Sequence, residues 1–346
     1  MKKLSLFLLI VFFMILCSCN TSESEKTIQS KKPSEAKIKL KLLCQPRPSF
    51  IPIHIALEEG YFDQEGLEIE FVHANQGPKA LFLLAKGELD VWAGGSRAGF
   101  FNIFSQKVDI RIVANKGIAR SQDGTIQKAI VFRKNLIEPD KPFPIEKLKG
   151  LKAYIDMGSY EEYHIDCCLQ KAGLTIKDIE SDRMPDNMAS EALINGSIDF
   201  VSLGEPLLTL LSKRGNFDLR FTTEEIIPDF EFGYIMYGER LLRREPELGK
   251  KFMVAYLKGV RQYMQGKTDR NVEIMMKHTK HDKETCLKMG WPLIKIDGTV
   301  NLESLKKFQN WCLSRGYIKE RIEESQLYDS RFVEYAKQIF EKLDKK

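Results

Sequence analysis

The sequence is poor in the side chains that cluster to do chemistry. Among 346 residues there are seven cysteines and five histidines, and no CxxC pair occurs. Cys17 and Cys19 lie near the N-terminus. Cys44, Cys167, Cys168, Cys286 and Cys312 form an odd, scattered set, so neither a disulfide framework nor a zinc site is expected. His278 and His281 are three apart with no third ligand in view and read as a solvated pair. No Walker-type phosphate loop and no Ser-His-Asp set appears, so no residue is nominated as catalytic. The 53 Lys and Arg exceed the 48 Asp and Glu by only five, and they are spread along the chain. With no basic block interleaved with aromatics, nucleic acid is not an expected partner.

What is present begins with a leader. Lys2 and Lys3 precede residues 4–16, an almost wholly apolar run too short for a permanent membrane span. Leu16-Cys17-Ser18-Cys19 resembles a bacterial lipobox, although Cys17 stands where a small residue is usual. Residues 1–18 are therefore expected to be a lipoprotein signal peptide and Cys19 the lipidated residue. Residues 19–37, rich in Ser, Glu and Lys, read as a disordered tether. The remainder has an ordinary globular composition and enough length for two lobes.

Residues 51–71 read as helix, turn and strand. Pro52 suits a first helical turn and Ser49 a cap. Gly60 and Gly66 stand where left-handed turns are wanted, and Tyr61 and Phe62 read as core anchors. Leu67, Ile69 and Phe71 alternate with Glu68 and Glu70 as a half-buried strand. Further strands are expected at 38–43, 89–93, 108–114, 128–132, 150–155, 179–184 and 232–237. Helices lie between them, and the region after 245 is helical. This order predicts an α/β fold of two lobes, each a mainly parallel sheet flanked by helices. Residues 38–120 would begin lobe 1 and 121–228 would form lobe 2. Residues 229–346 would return a strand to lobe 1 and add the C-terminal helices. Linkers are expected near 118–125 and 225–232. A repeat supports two similar lobes. Ala80-x-x-x-Leu84-x-x-Gly87-x-x-Asp90-x-x-x-x-Gly95 recurs, in phase, as Ala189-x-x-x-Leu193-x-x-Gly196-x-x-Asp199-x-x-x-x-Gly204.

Ala56, Gly60-Tyr61-Phe62 and Gly66-Leu67, running into an acidic-apolar strand, resemble the opening of one receptor family. These are the substrate-binding proteins of ABC importers for nitrate, sulfonates, taurine and thiamine-pyrimidine precursors. Gly204-Glu205-Pro206, Gly316-Tyr317-Ile318 and Tyr328-Asp329 resemble later parts of the same family, so the resemblance covers most of residues 38–346. It implies a type II periplasmic-binding-protein architecture that binds a small solute by hinge closure, without catalysis or cofactor. The partners implied are a permease and its ATPase, with the receptor exported and held to the membrane by lipid. The first-lobe loop lacks the Trp-Pro-Asn pattern of thiamine-precursor receptors. Enzymes of menaquinone and pyrimidine synthesis share this fold. The leader speaks against the first, and Cys167-Cys168 is not the clustered cysteine motif of the second. A receptor that signals rather than transports is a further alternative.

Open α/β sheets bind ligands beyond the carboxyl ends of their strands. That rule selects Ser49, Phe50, Gln76, Gly94, Gly95, Ser96, Arg97, Gly158, Ser159, Tyr160 and Glu205, with Tyr234 on the returning strand. Helix N-termini at these loops offer N–H donors and partial positive charge. Arg97 would pair with an anionic solute and Glu205 would accept from a donor-bearing one. Phe50 and Tyr160 would stack on a ring or close the cleft.

Overall fold

A computed structural model of the chain describes residues 36–344 apart from 73–77, 107, 139–140, 183, 185–187 and 216. The leader, Cys19, nearly all of the tether and Gln76 lie outside the described residues. The strands in chain order are β1 (Ile38–Leu43), β2 (Leu67–Phe71), β3 (Val91–Gly95), β4 (Arg111–Ser121), β5 (Lys128–Phe132) and β6 (Lys152–Tyr154). They continue with β7 (Glu180–Asp182), β8 (Phe200–Gly204), β9 (Asp218–Arg220), β10 (Glu231–Tyr237) and β11 (Pro292–Leu293).

These strands make two sheets, ordered β11-β4-β10-β3-β1-β2 and β7-β6-β8-β5-β9. Each contains a parallel trio, β2-β1-β3 in one and β7-β6-β8 in the other, extended by antiparallel strands. The chain crosses to the second sheet after β4 and returns as β10, which pairs antiparallel with both β3 and β4. Position explains sequence here. In β10 every residue is buried, as a central strand covered on both faces requires. In β2, at an edge, Leu67 is buried while Glu68 and Glu70 are exposed and pair with Lys39 on β1. Such charges blunt an edge against further strand addition.

The strand expected at 108–114 instead spans Arg111–Ser121 and runs through part of the expected linker. β10 supplies the reason, since it hydrogen-bonds along β4 as far as Ile118. The helices also pack closely. A Cβ on Gly259, in the helix Pro246–Tyr263, would sit 2.1 Å from the Pro52 carbonyl oxygen of the helix Ile51–Glu58. Only glycine fits so close a backbone approach. The last helix, Arg331–Leu343, buries Phe332, Val333, Ala336 and Phe340. Leu343, at the end of the same helix, is exposed.

The repeat has a physical counterpart. Asp90 Oδ2 accepts from the Lys41 N–H at 2.8 Å, and Asp199 Oδ2 accepts from the Lys152 N–H at 2.9 Å. In return, the Asp90 and Asp199 N–H groups donate to the carbonyls of Lys41 and Lys152. Arg240 pairs with the first carboxylate and Arg133 with the second. Each aspartate thus fixes the start of β3 or β8 against its parallel neighbour.

Candidate functional site in the cleft

The carboxyl ends of the two parallel trios face one cavity of about 160 Å³. For scale, an engineered apolar cavity of about 150 Å³ takes up benzene. The first lobe contributes the loop 45–50, Gly94 and Gly95 at the end of β3, Ser96 and Arg97 just after it, Lys116 from β4 and Phe232 from β10. The second contributes Gln127 and Lys128 from the start of β5, Tyr154 and Asp156, Tyr160 and Glu161, and Ser202–Glu205 at the end of β8. The Gly94-Gly95-Ser96 and Gly204-Glu205 loops, related by the repeat, therefore line the same cavity.

Three glycines shape it. A Cβ on Gly94 would lie 2.3 Å from the Trp92 ring, one on Gly117 2.6 Å from the Phe232 ring, and one on Gly233 3.0 Å from Lys116 Cε. The missing side chains let Trp92, Phe232 and Lys116 fold over the strands. Tyr160 then stacks on Phe232 with ring centroids 5.5 Å apart.

The cavity holds charge in an uneven way. Lys128 is buried, donates to Glu161 at 3.1 Å and lies 4.2 Å from the Tyr160 ring centroid. Burial pulls its ammonium below the usual lysine range, with Glu161 opposing. Burial raises the Glu161 carboxyl, but Lys128, a backbone hydrogen bond and Arg97 together hold it below its usual value. Arg97 donates to Asp156 at 3.1 Å, joining the lobes across the cleft, and the Ala98 N–H donates to the Gly158 carbonyl at 2.8 Å beside it. Glu205 accepts from the Thr209 N–H at 3.1 Å, the Thr209 hydroxyl at 2.8 Å and the Gly290 N–H at 3.1 Å. Lys116 differs. It is 1% exposed, donates to Ser49 Oγ at 2.9 Å and lies 3.8 Å from the Phe50 ring centroid. Among the described residues no carboxylate comes within ion-pair reach of it. Burial brings its pKa down to about 7.

A family model described as NMT1/THI5 like matches residues 47–267. The chain belongs to this family. A Bacillus subtilis (strain 168) protein named for aliphatic sulfonate binding is 23% identical over 97% of this chain and 96% of its own length. The nitrate-binding protein NrtA of Synechocystis PCC 6803 superposes with a TM-score of 0.68 at 14% identity, over 88% of this chain and 89% of that one. The desulfurization enzyme DszB, solved with biphenyl-2-sulfinic acid, gives a TM-score of 0.63 at 11% identity, over 88% and 99%. The architecture is the two-lobed periplasmic-binding-protein fold, which carries both receptors and an enzyme.

In this NMT1/THI5-like chain the cavity gathers Ser49, Phe50, Gly94, Gly95, Ser96, Arg97, Tyr160 and Glu205 from the residues nominated by sequence. Gly158 and Ser159 sit next to it rather than in its wall. Gly158 accepts from Ala98, and Ser159 caps the helix Tyr160–Gln170 through the N–H groups of Glu161 and Glu162. Tyr234 is a core residue instead, fully buried with its hydroxyl donating to the Glu231 carbonyl. Ser49 does not cap the following helix, because its hydroxyl is taken by Lys116. Ser96 likewise leaves the N-cap to Arg97 and donates to the Glu231 carbonyl at 3.2 Å. Sequence reasoning passed over Lys116, Lys128, Asp156 and Glu161. A usable signal existed for Lys116, a lysine lying between the apolar stretches Ile112-Val113-Ala114 and Ile118-Ala119. A charge placed where burial is expected marks a functional candidate.

Proposed function

We propose that this protein is an exported receptor that captures a small monovalent oxyanion, such as nitrate or a short alkanesulfonate, in the cleft between its lobes. The observation that carries this reading is Lys116, a buried lysine with no carboxylate partner among the described cleft residues. Of the other three cations in the wall, Arg97 is matched by Asp156 and Lys128 by Glu161, while Arg47 is exposed to solvent. One negative charge would match Lys116, the buried cation without a carboxylate partner, whereas a dianion would bring a second charge that no buried cation matches. The aromatic rings of Phe50, Phe232 and Tyr160 suit a compact anion with an apolar group attached. The names of the B. subtilis and Synechocystis proteins point to the same solute class. Opening would break the Arg97–Asp156 and Ala98–Gly158 contacts and closing would restore them, which fits capture by hinge movement. Lipid attachment at Cys19 and delivery to a permease driven by a separate ATPase complete the reading.

A thermal-shift screen tests it. Nitrate, methanesulfonate and ethanesulfonate should raise the melting temperature, and sulfate, amines and neutral pyrimidines should not. Ligand at a hundred times its Kd adds about 2.7 kcal/mol to stability. Stabilisation by amines or pyrimidines but by none of the anions would overturn the anionic reading.

A further inference from the structure

Lys116 enters the cleft over Gly233, where a Cβ would meet its Cε at 3.0 Å and its Nζ at 3.1 Å. The ammonium is then enclosed by Ser49 and Phe50 on one side and by β10 on the other. The charged and titratable groups facing it can be followed element by element. At the end of β1, the Cys44 thiol is pushed up to about 12 by burial and stays neutral. Behind it His54, 3.5 Å from that sulfur, is brought down to about 3 by burial and is neutral too. On the next loop Arg47 has the same sign as Lys116. On β10, Gly233 and Phe232 carry no charge. Across the cavity Asp156 and Glu161 already hold Arg97 and Lys128, and Glu205 is held by Thr209 and Gly290. Among the described residues no group facing Lys116 supplies a counter-charge.

An ammonium enclosed without a counter-ion is disfavoured against the neutral amine, and an adjacent anion reverses that preference. We infer that Lys116 makes capture proton-coupled: above neutrality the empty cleft holds it mostly as an amine, and each monovalent anion is then bound together with close to one proton from solvent. This rests on the reading of the cleft as an anion receptor. The step balances as amine, proton and anion combining into an ammonium–anion pair, with no covalent bond to the solute. The low pKa of Lys116, about 7, agrees with the enclosure. Affinity is then nearly flat below neutrality and falls about tenfold for each pH unit above it. Lys116 also becomes the specificity-determining group, because a neutral or cationic solute gives the proton no reason to bind.

The experiment is calorimetric titration of the whole protein with nitrate and with methanesulfonate at about pH 8, where the empty-site lysine is mostly amine. It is run in Tris and in triethanolamine, buffers that carry no competing sulfonate and differ in ionisation enthalpy. The dependence of the heat on buffer should give close to one proton taken up per anion. The Lys116→Arg variant, whose guanidinium stays charged, should bind with no uptake and with affinity independent of pH. If wild type binds an anion with heat independent of buffer, and equally well at pH 7 and pH 9, the coupling is wrong while the anion reading stands. If neither anion binds wild type at either pH, the anion reading falls and the coupling falls with it.

Discussion

Lys116 Nζ donates to Ser49 Oγ across 2.9 Å, joining a lysine on the strand that leads to the second lobe to a serine on the first cleft loop. Among the described residues Lys116 has no carboxylate partner, while Lys128, on the opposite side, has Glu161.

Gly233→Ala should weaken anion binding by displacing Lys116, with every proposed ligand-contacting residue left unsubstituted. The new Cβ would meet Lys116 Cε and Nζ and also the Gly94 carbonyl oxygen, 3.3 Å away. Moving the lysine off its rotamer costs about 0.5–1.5 kcal/mol, or roughly two- to tenfold in affinity. Calorimetry reads the change; an unaltered Kd would mean that the position of the ammonium is unimportant.

Glu205→Gln should destabilise the protein while leaving solute affinity within about twofold. The carboxylate takes three donors, from Thr209 and from Gly290, and so ties β8 to the segment before β11. The amide keeps fewer acceptor sites, and weakened bonds of this kind cost about 1–3 kcal/mol. Thermal melting with and without anion separates the two effects. A large loss of affinity at unchanged melting temperature would return Glu205 to the solute-contacting set.

Cys19→Ser should abolish incorporation of labelled palmitate and release the protein from the membrane fraction. The motif Leu16-Cys17-Ser18-Cys19 and the polar residues after it motivate this. Equal labelling of wild type and variant would remove the anchor from the account.

How much was legible in the sequence depended on the range of the interaction. Local geometry was readable. Gly60 and Gly66 have φ of 68° and 71°, as their places in the turns demand. The repeat around Asp90 and Asp199 was readable because both aspartates do the same backbone work at the same offset from a strand. The state of the charged site residues was not. Arg97 and Glu205 line the cleft cavity. However, Arg97 is matched by Asp156, 59 positions away, and Glu205 by Gly290, 85 positions away. No local pattern announces such pairings. Lys116 was missed for a related reason. The strand was expected to stop at residue 114, which left the lysine in the approach to a linker. Pairing with β10 instead carries the strand through it.

The most direct test of the central claim is the Kd of nitrate and of methanesulfonate for wild type and for Lys116→Met at pH 7. Removing a charged hydrogen-bond donor costs about 1.5–3 kcal/mol, or about ten- to a hundredfold in affinity. Methionine fills similar space without a buried amine, so the melting temperature of the empty variant should hold or rise. The account predicts at least a tenfold weaker Kd in a well-folded variant. Wild-type affinity in Lys116→Met, with the variant equally stable, would contradict it.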